Sequence, residues 1–231
     1  LNRRECIFAL DGQHRLAGIK YAINKSSDLG YKQIPVIFLP HYNDADGLRR
    51  TRRLFTSLNK KAKAVEKEAI IALDEDDLPA VVTRYLVEET KLFDEDKLKY
   101  SAQNNILVSD TRNITTIGNL YDLVKMVLKQ GVKVPPSKIS NFRGEDTKKF
   151  EIIDVVESVF EYLFQEIPAL NEFQIDGIDR AAVCEKYRSS EFGGHLLYRP
   201  IGMRIFFDAL FKYHKTNREL FENSYKDFIS L

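Results

Sequence analysis

Asp11-Gly12-Gln13-His14-Arg15 sets a carboxylate, a glycine, an amide, an imidazole and a guanidinium side by side near the start of the chain. Together these types suit phosphate chemistry, since Arg15 is a permanent cation for phosphate oxygens and His14 one that switches near neutral pH. Asp11 can hold a magnesium ion and His14 can give or take a proton, so the set could serve hydrolysis as well as binding. The backbone around them must then supply donors of its own. Cys6-Ile7-Phe8-Ala9-Leu10 is a short apolar run and Leu16-Ala17-Gly18-Ile19 resumes with helical spacing, which predicts a strand, a tight turn and a helix start. At such a junction the first-turn N–H groups have no helical partners and the helix dipole adds partial positive charge. Gly12 lets the chain approach an anion closely, and Asp11 is placed to cap the helix. A second account stays open, in which Asp11 and Arg15 form a local ion pair that only stabilises the turn.

Two further stretches concentrate charge. Residues 44–61 read as a helix with Leu48, Thr51, Phe55 and Leu58 on one face and Arg49, Arg50, Arg52 and Arg53 toward solvent. The basic run continues through Lys60, Lys61, Lys63 and Lys67. It is either a solvated helix face or a surface that contacts phosphates, of an anion at Gly12 or of a DNA backbone. Asn59, between the apolar helix and a lysine pair, either caps an element or hydrogen-bonds a ligand. Later, Phe192-Gly193-Gly194-His195-Leu196-Leu197-Tyr198-Arg199-Pro200 forms a second Gly-rich turn with Pro200 at a helix start, and it lacks the Gly-Lys-Ser/Thr ending of a Walker loop. This turn either packs helices against the sheet or brings Arg199 over a ligand.

The string Leu10-Asp11-Gly12-Gln13-His14-Arg15-Leu16-Ala17-Gly18-Ile19 resembles the signature of the DGQHR-domain family, whose DndB-like members serve DNA phosphorothioation systems. Arg53-Leu54-Phe55-Thr56-Ser57-Leu58-Asn59-Lys60-Lys61-Ala62 is similar to that family's second block, of the form Phe-x-x-Leu-Asn-x-x-Ala. Leu196-Leu197-Tyr198-Arg199-Pro200-Ile201-Gly202 resembles its late Leu-Phe-Arg-Pro-Ile-Gly block, while residues 63–192 match loosely. The segment from Ile7 through Ile37, with a second strand at Ile34-Pro35-Val36-Ile37-Phe38-Leu39, is similar to the corresponding unit of the ParB and sulfiredoxin superfamily, where the turn holds the phosphates of CTP or ATP. Sulfiredoxin has a Gly-Gly-Cys-His-Arg turn and needs its Cys; Gln13 stands at that place here, which excludes thiol chemistry.

The resemblance implies an α+β fold: a ParB/sulfiredoxin-like small mixed sheet bearing the signature turn over residues 1–63, then a larger α-helical subdomain over 64–231, with an internal boundary near 131–138. It implies that Gly12, Gln13, Asn59, Lys60 and Arg199 contact a nucleoside triphosphate such as ATP, with Mg2+ held by Asp11. Asp11, His14 and Arg15 would carry any catalysis, and Arg49, Arg50, Arg52, Arg53, Lys61 and Lys63 would contact DNA. The expected role is that of an accessory or regulatory protein, including transcription regulation, working with DNA, a nucleotide and other DNA-modification proteins. The alternatives are an ATPase acting in DNA modification and a non-enzymatic interaction module.

Composition bounds these readings. With 231 residues, 44% of them hydrophobic, the chain can bury a substantial core. Its 35 basic residues nearly balance 34 acidic ones, so DNA contact would require a local patch rather than a global field. Cys6 and Cys184 lie far apart and His14, His41, His195 and His214 are scattered, so the sequence shows no metal knuckle or redox pair. With no signal-like core and no apolar run of roughly 18 residues, a cytoplasmic protein without a membrane partner is expected. The first residue is Leu1, not Met, which leads to the expectation of further strands and a helix ahead of it.

Beyond residue 63 the spacing predicts helices over 65–73, 78–93, 115–129, 145–166, 179–188, 201–213 and 217–231, with Thr115 as an N-cap and Gly131 just past an end. Val132-Lys133-Val134-Pro135-Pro136 is a breaker. Asp74-Glu75-Asp76-Asp77 lacks the glycine and distant Glu of a calcium loop and reads as acids at a helix N-terminus.

Overall fold

A computed structural model describes residues 8–10, 12–60, 67–94, 97–107, 109–142, 146–189 and 194–231. The chain divides into two units, Leu1–Ala64 and Val65–Leu231.

The first unit contains helix α1 (Gln13–Lys25), a 3-10 turn (Ser27–Tyr31) and helix α2 (Ala45–Lys60). The two strands expected here do not form among the described residues: 8–10 and 34–39 carry no ladder. A strand persists only when a partner takes its N–H and C=O groups or a face is buried. Ile34, Val36, Ile37, Phe38 and Leu39 are all exposed, and Pro35 has no N–H to offer a ladder. None of the residues of α1 is buried either.

Helix α2 starts where the Asp44 carboxylate accepts from the Gly47 N–H at 2.6 Å and the Asp44 carbonyl from the Leu48 N–H at 3.0 Å. Gly47 is pressed against the chain before it, for a Cβ there would stand 2.1 Å from the Tyr42 carbonyl oxygen. The simple two-faced reading of α2 needs correction. Arg50 and Arg52 are exposed as expected, but Arg49 and Arg53 are half-buried beside the buried Thr56, and Leu48 is exposed. Positions 49, 53 and 56 follow i, i+4, i+7 and make a second covered face, in which Arg53 Nε is itself buried.

The second unit is helical around one core. Its elements are α3 (Lys67–Leu73), α4 (Leu78–Glu88), β1 (Leu98–Lys99), β2 (Thr115–Thr116), α5 (Ile117–Met126), a π-helical turn (Val127–Gly131), α6 (Pro136–Ile139), α7 (Asp146–Glu166), α8 (Pro168–Gln174), α9 (Arg180–Arg188), a 3-10 turn (Leu196–Tyr198), α10 (Pro200–Asn217) and α11 (Phe221–Ser230). The strands pair in parallel, with Leu98 opposite Thr115 and Lys99 opposite Thr116. The fold is therefore α+β in the coarse sense of a mostly helical chain with a two-strand parallel sheet, and that sheet belongs to the second unit, not to residues 1–63.

On α7, Ile153, Val156, Phe160 and Leu163 recur at i, i+3, i+7, i+10 and are buried. On α10, Met203, Phe207, Leu210 and Phe211 recur at i, i+4, i+7, i+8 and are likewise buried. The two stripes meet around an aromatic cluster in which Phe160 lies 5.5 Å from Phe93 and 5.6 Å from Phe207, in the range where ring pairs add to area burial.

Boundaries moved where side chains closed the ends. Thr116, not Thr115, caps α5, accepting from the Asn119 N–H at 3.1 Å. Residues 127–131 continue past α5 as a π turn, closed by the Val132 N–H on the Val127 carbonyl at 3.0 Å, so Gly131 ends that turn rather than following a helix. Helices α6 and α8, each opened by a proline in its first turn, were not expected; α10 begins at Pro200 and runs on to Asn217. Among the described residues no helix is long and apolar enough to cross a membrane.

Candidate functional site

The signature turn is built on Gly12. Its φ of 81° and ψ of 20° lie in the left-handed region that glycine enters without a steric cost, and it occupies the N-cap position of α1. The cap expected of Asp11 thus falls on Gly12, where no side chain makes a capping bond; Asp11, with its assigned magnesium, lies outside the described residues. The Leu16 N–H closes the first helical bond on the Gly12 carbonyl at 2.8 Å. Gln13 Nε2 donates back to the Ala9 carbonyl at 3.2 Å, tying the incoming chain to the helix start. The Arg15 side chain lies over Gly12, for a Cβ at Gly12 would stand 3.7 Å from Arg15 Nε. Gln13, His14 and Arg15 are all exposed. A helix start of this kind, with first-turn amides and a guanidinium at one glycine, suits an anion and leaves room for its oxygens.

A residue the motif did not single out connects this segment to α2. His41 stacks edge-on against Phe8, with centroids 5.2 Å apart, and its Nδ1 lies 2.8 Å from Thr51 Oγ1 on α2. A lone histidine in an extended stretch gives no sequence signal for such a bridge. Arg49 on α2 reaches Asp46 at 3.9 Å, a loose exposed pair of small energetic weight. Lys61 and Lys63 lie outside the described residues; Asn59 and Lys60 belong to α2 by backbone, but their side chains, and that of Leu58, lie outside the description.

The late turn is held by structural bonds. His195 Nδ1 accepts from the Leu197 N–H at 3.3 Å, and the His195 N–H donates to the Tyr187 carbonyl at 2.7 Å. Burial pushes the imidazole pKa down, which fits a neutral ring acting as acceptor. Tyr198, fully buried, donates to the Ala169 carbonyl at 2.5 Å and stacks on Tyr187 at 4.9 Å. Arg199 is exposed and donates to the Arg188 carbonyl at 3.3 Å. Arg188 in turn donates to the Tyr198, Asp110, Asn113 and Ile114 carbonyls.

The acidic stretch also works as structure. Asp74 Oδ1 accepts from the Asp76 and Asp77 N–H groups, and Asp77 caps α4 through the Ala80 N–H at 3.0 Å. Arg84, buried, donates to the Ile71 and Asp74 carbonyls and pairs with Glu75 at 3.2 Å. Among the described residues no group of three His, Cys, Asp or Glu side chains could hold a metal ion. Cys184 is buried, and desolvation pushes its thiol pKa up, the opposite of a reactive cysteine; Cys6 lies outside the described residues.

Fold and turn together define a helix-rich protein with a glycine-built helix start suited to an anion. The chain belongs to the DndB family, described as DNA-sulfur modification-associated, which matches residues 2–189. The match takes in the signature turn and α2 and ends before the late Gly-rich turn. It makes this a protein associated with DNA sulfur modification. No curated protein and no solved structure matches the chain.

Proposed function

We propose that the protein is an accessory or regulatory factor of a DNA phosphorothioation locus, binding a nucleotide at the Asp11-Gly12-Gln13-His14-Arg15 turn and DNA through α2. The observation that carries the reading is Gly12 at the N-cap of α1 with the Arg15 side chain folded over it, inside a chain of the DndB family. First-turn amides take phosphate oxygens and Arg15 neutralises their charge, and Asp11 would hold the Mg2+ that accompanies a nucleoside triphosphate. Asn59 and Lys60 complete the nucleotide contacts. Arg50 and Arg52, both exposed, lead the contacts to the DNA backbone, and Arg49, Arg53, Lys61 and Lys63 extend them. The likeness of the turn to ParB and sulfiredoxin turns supports a nucleoside triphosphate, and ATP is the first to test.

The experiment is a calorimetric titration of ATP, CTP and GTP with magnesium into the wild type and an Asp11→Ala, His14→Ala, Arg15→Ala triple variant, with phosphate release followed in parallel. Binding present in the wild type and lost in a folded variant supports the site. Absence of binding at millimolar nucleotide overturns it. Phosphate release would make the protein a hydrolase, whereas binding without turnover fits a nucleotide-gated DNA binder. Duplex affinity is read in the same way: replacing Arg50 and Arg52 by Gln lowers the slope of log K against log salt by about 1.8 in magnitude if both touch phosphates.

A further inference from the structure

A concavity in the second unit departs from the even charge of the chain. Half open to solvent, it has a volume of about 490 Å³ between the π-helical turn Val127–Gly131 and the C-terminal end of α10. Lys129, Lys133, Lys215 and Arg218 stand exposed around it, Phe211 and His214 form a buried floor, and Glu219 is the single acid on its wall. Whole-chain basic and acidic residues number 35 and 34, so four cations against one acid in one hollow is a local excess. None of the four makes an ion pair with a carboxylate among the described residues, whereas Lys226 on the neighbouring α11 is paired with Glu222 at 2.7 Å.

The backbone is shaped to gather these cations. The α5 segment overruns into a π turn, a rare geometry found often at functional sites. Lys133, with φ of 60°, and Arg218, with φ of 55°, are the positive-φ residues other than glycine among the described residues, and both are cations on this wall. Strained conformations of this kind are held in place by their surroundings and gather at ligand clamps. Helix C-termini ordinarily repel anions; three of the carbonyls here are occupied, Val127 by the Val132 N–H, Leu128 by the Val134 N–H and His214 by the Arg218 N–H, and the four cations must outweigh the rest. The walls are locked together. Gly131 sits so close to Phe221 that a Cβ would lie 2.5 Å from the ring, and His214, 5.3 Å from the same ring, has its Nδ1 2.9 Å from Ser224 Oγ. The His214 pKa is lowered, first by burial and then by the charge of Lys133, so the floor stays neutral while the rim carries the positive charge.

We propose that this hollow is a second anion site, distinct from the signature turn, that binds a compact polyphosphate such as the triphosphate of a nucleotide. The four cations border a half-open hollow of small-ligand size, which suits a compact anion better than the long phosphate track of a duplex.

The test titrates inorganic tripolyphosphate at fixed ionic strength into four proteins. These are the wild type, Arg15→Ala, whose altered residue belongs to the other unit and removes the signature turn's own affinity, and Arg15→Ala combined with either Lys129→Gln/Lys133→Gln/Lys215→Gln or Lys129→Arg/Lys133→Arg/Lys215→Arg. The altered lysines are exposed, and matching circular dichroism and melting curves confirm folding. The Gln variant is expected to bind about tenfold more weakly than Arg15→Ala alone, or worse, while the charge-preserving variant and Arg15→Ala keep a tripolyphosphate site. Affinity in the Gln variant equal to that of Arg15→Ala overturns the proposal, as does complete loss of tripolyphosphate binding in Arg15→Ala. Loss of duplex affinity in the Gln variant with tripolyphosphate binding intact overturns it in favour of a DNA contact. Failure of the signature turn as a nucleotide site shows separately, in ATP affinity that the Asp11→Ala, His14→Ala, Arg15→Ala changes leave unaltered in the Lys129→Gln/Lys133→Gln/Lys215→Gln background.

Discussion

Arg188 Nε donates to the Tyr198 carbonyl at 3.1 Å, joining α9 to the late Gly-rich turn through the guanidinium of a residue that is 3% exposed. The same guanidinium reaches the Asp110, Asn113 and Ile114 carbonyls, so one side chain satisfies backbone acceptors from three places in the chain. Replacing it with Met keeps the stem and strands those buried acceptors. The expected loss is about 3 kcal/mol or more, read from urea denaturation midpoints at constant slope. A loss near zero would mean that water reaches these carbonyls and that the arginine does not organise the turn.

Gly202 tests how tightly that turn meets α10. A Cβ there would lie 1.9 Å from the Leu196 carbonyl oxygen, a backbone atom that cannot swing aside. In an unobstructed helix Gly→Ala stabilises by roughly 1 kcal/mol; here overpacking reverses the sign, and Gly202→Ala is expected to destabilise by about 2 kcal/mol. Thermal melts of the two proteins decide it, and a higher melting temperature in the variant would contradict the packing described.

Asp77 links burial to pH. Desolvation raises its pKa, and the bonds from the Ala80 N–H and the Tyr121 hydroxyl oppose that rise only in part. A carboxyl with a raised folded-state pKa binds more protons folded than unfolded across the interval above its ordinary value. Its contribution is therefore complete below the unfolded pKa and is lost as pH rises through the folded one. Asp77→Asn, which keeps a capping oxygen, is expected to flatten that decline in stability between acid and neutral pH. Denaturation midpoints measured across the range would be parallel in the two proteins if Asp77 did not titrate in this way.

In the Lys129→Gln/Lys133→Gln/Lys215→Gln background, Arg15→Ala is expected to remove nucleotide affinity while leaving the fold unchanged, because the exposed side chain lies over Gly12 and no residue of α1 is buried. Circular dichroism reports the fold and calorimetry the affinity. Unchanged affinity in the folded variant would place any nucleotide elsewhere on the protein.

Local patterns in the chain determined much of the second unit. The apolar spacing of 153, 156, 160 and 163 specifies the buried face of α7 with no help from distant residues, and Asp77 and Asp179 mark helix starts by capping chemistry alone. The signature residues were likewise legible, and with them the family. Tertiary structure decided what depends on distant partners. Residues 34–39 have the composition of a strand, but a strand needs a ladder partner, and whether one is present is not written in the segment itself. The acceptors of Arg188 lie as far as 78 positions away. The four cations of the second hollow come from 129–133 and 215–218, and only the packing of α10 against the π turn brings them around one cavity. Periodicity and caps act within one or two helical turns, whereas strand pairing, guanidinium bridges and concave charge arise between segments that meet only when the chain has folded.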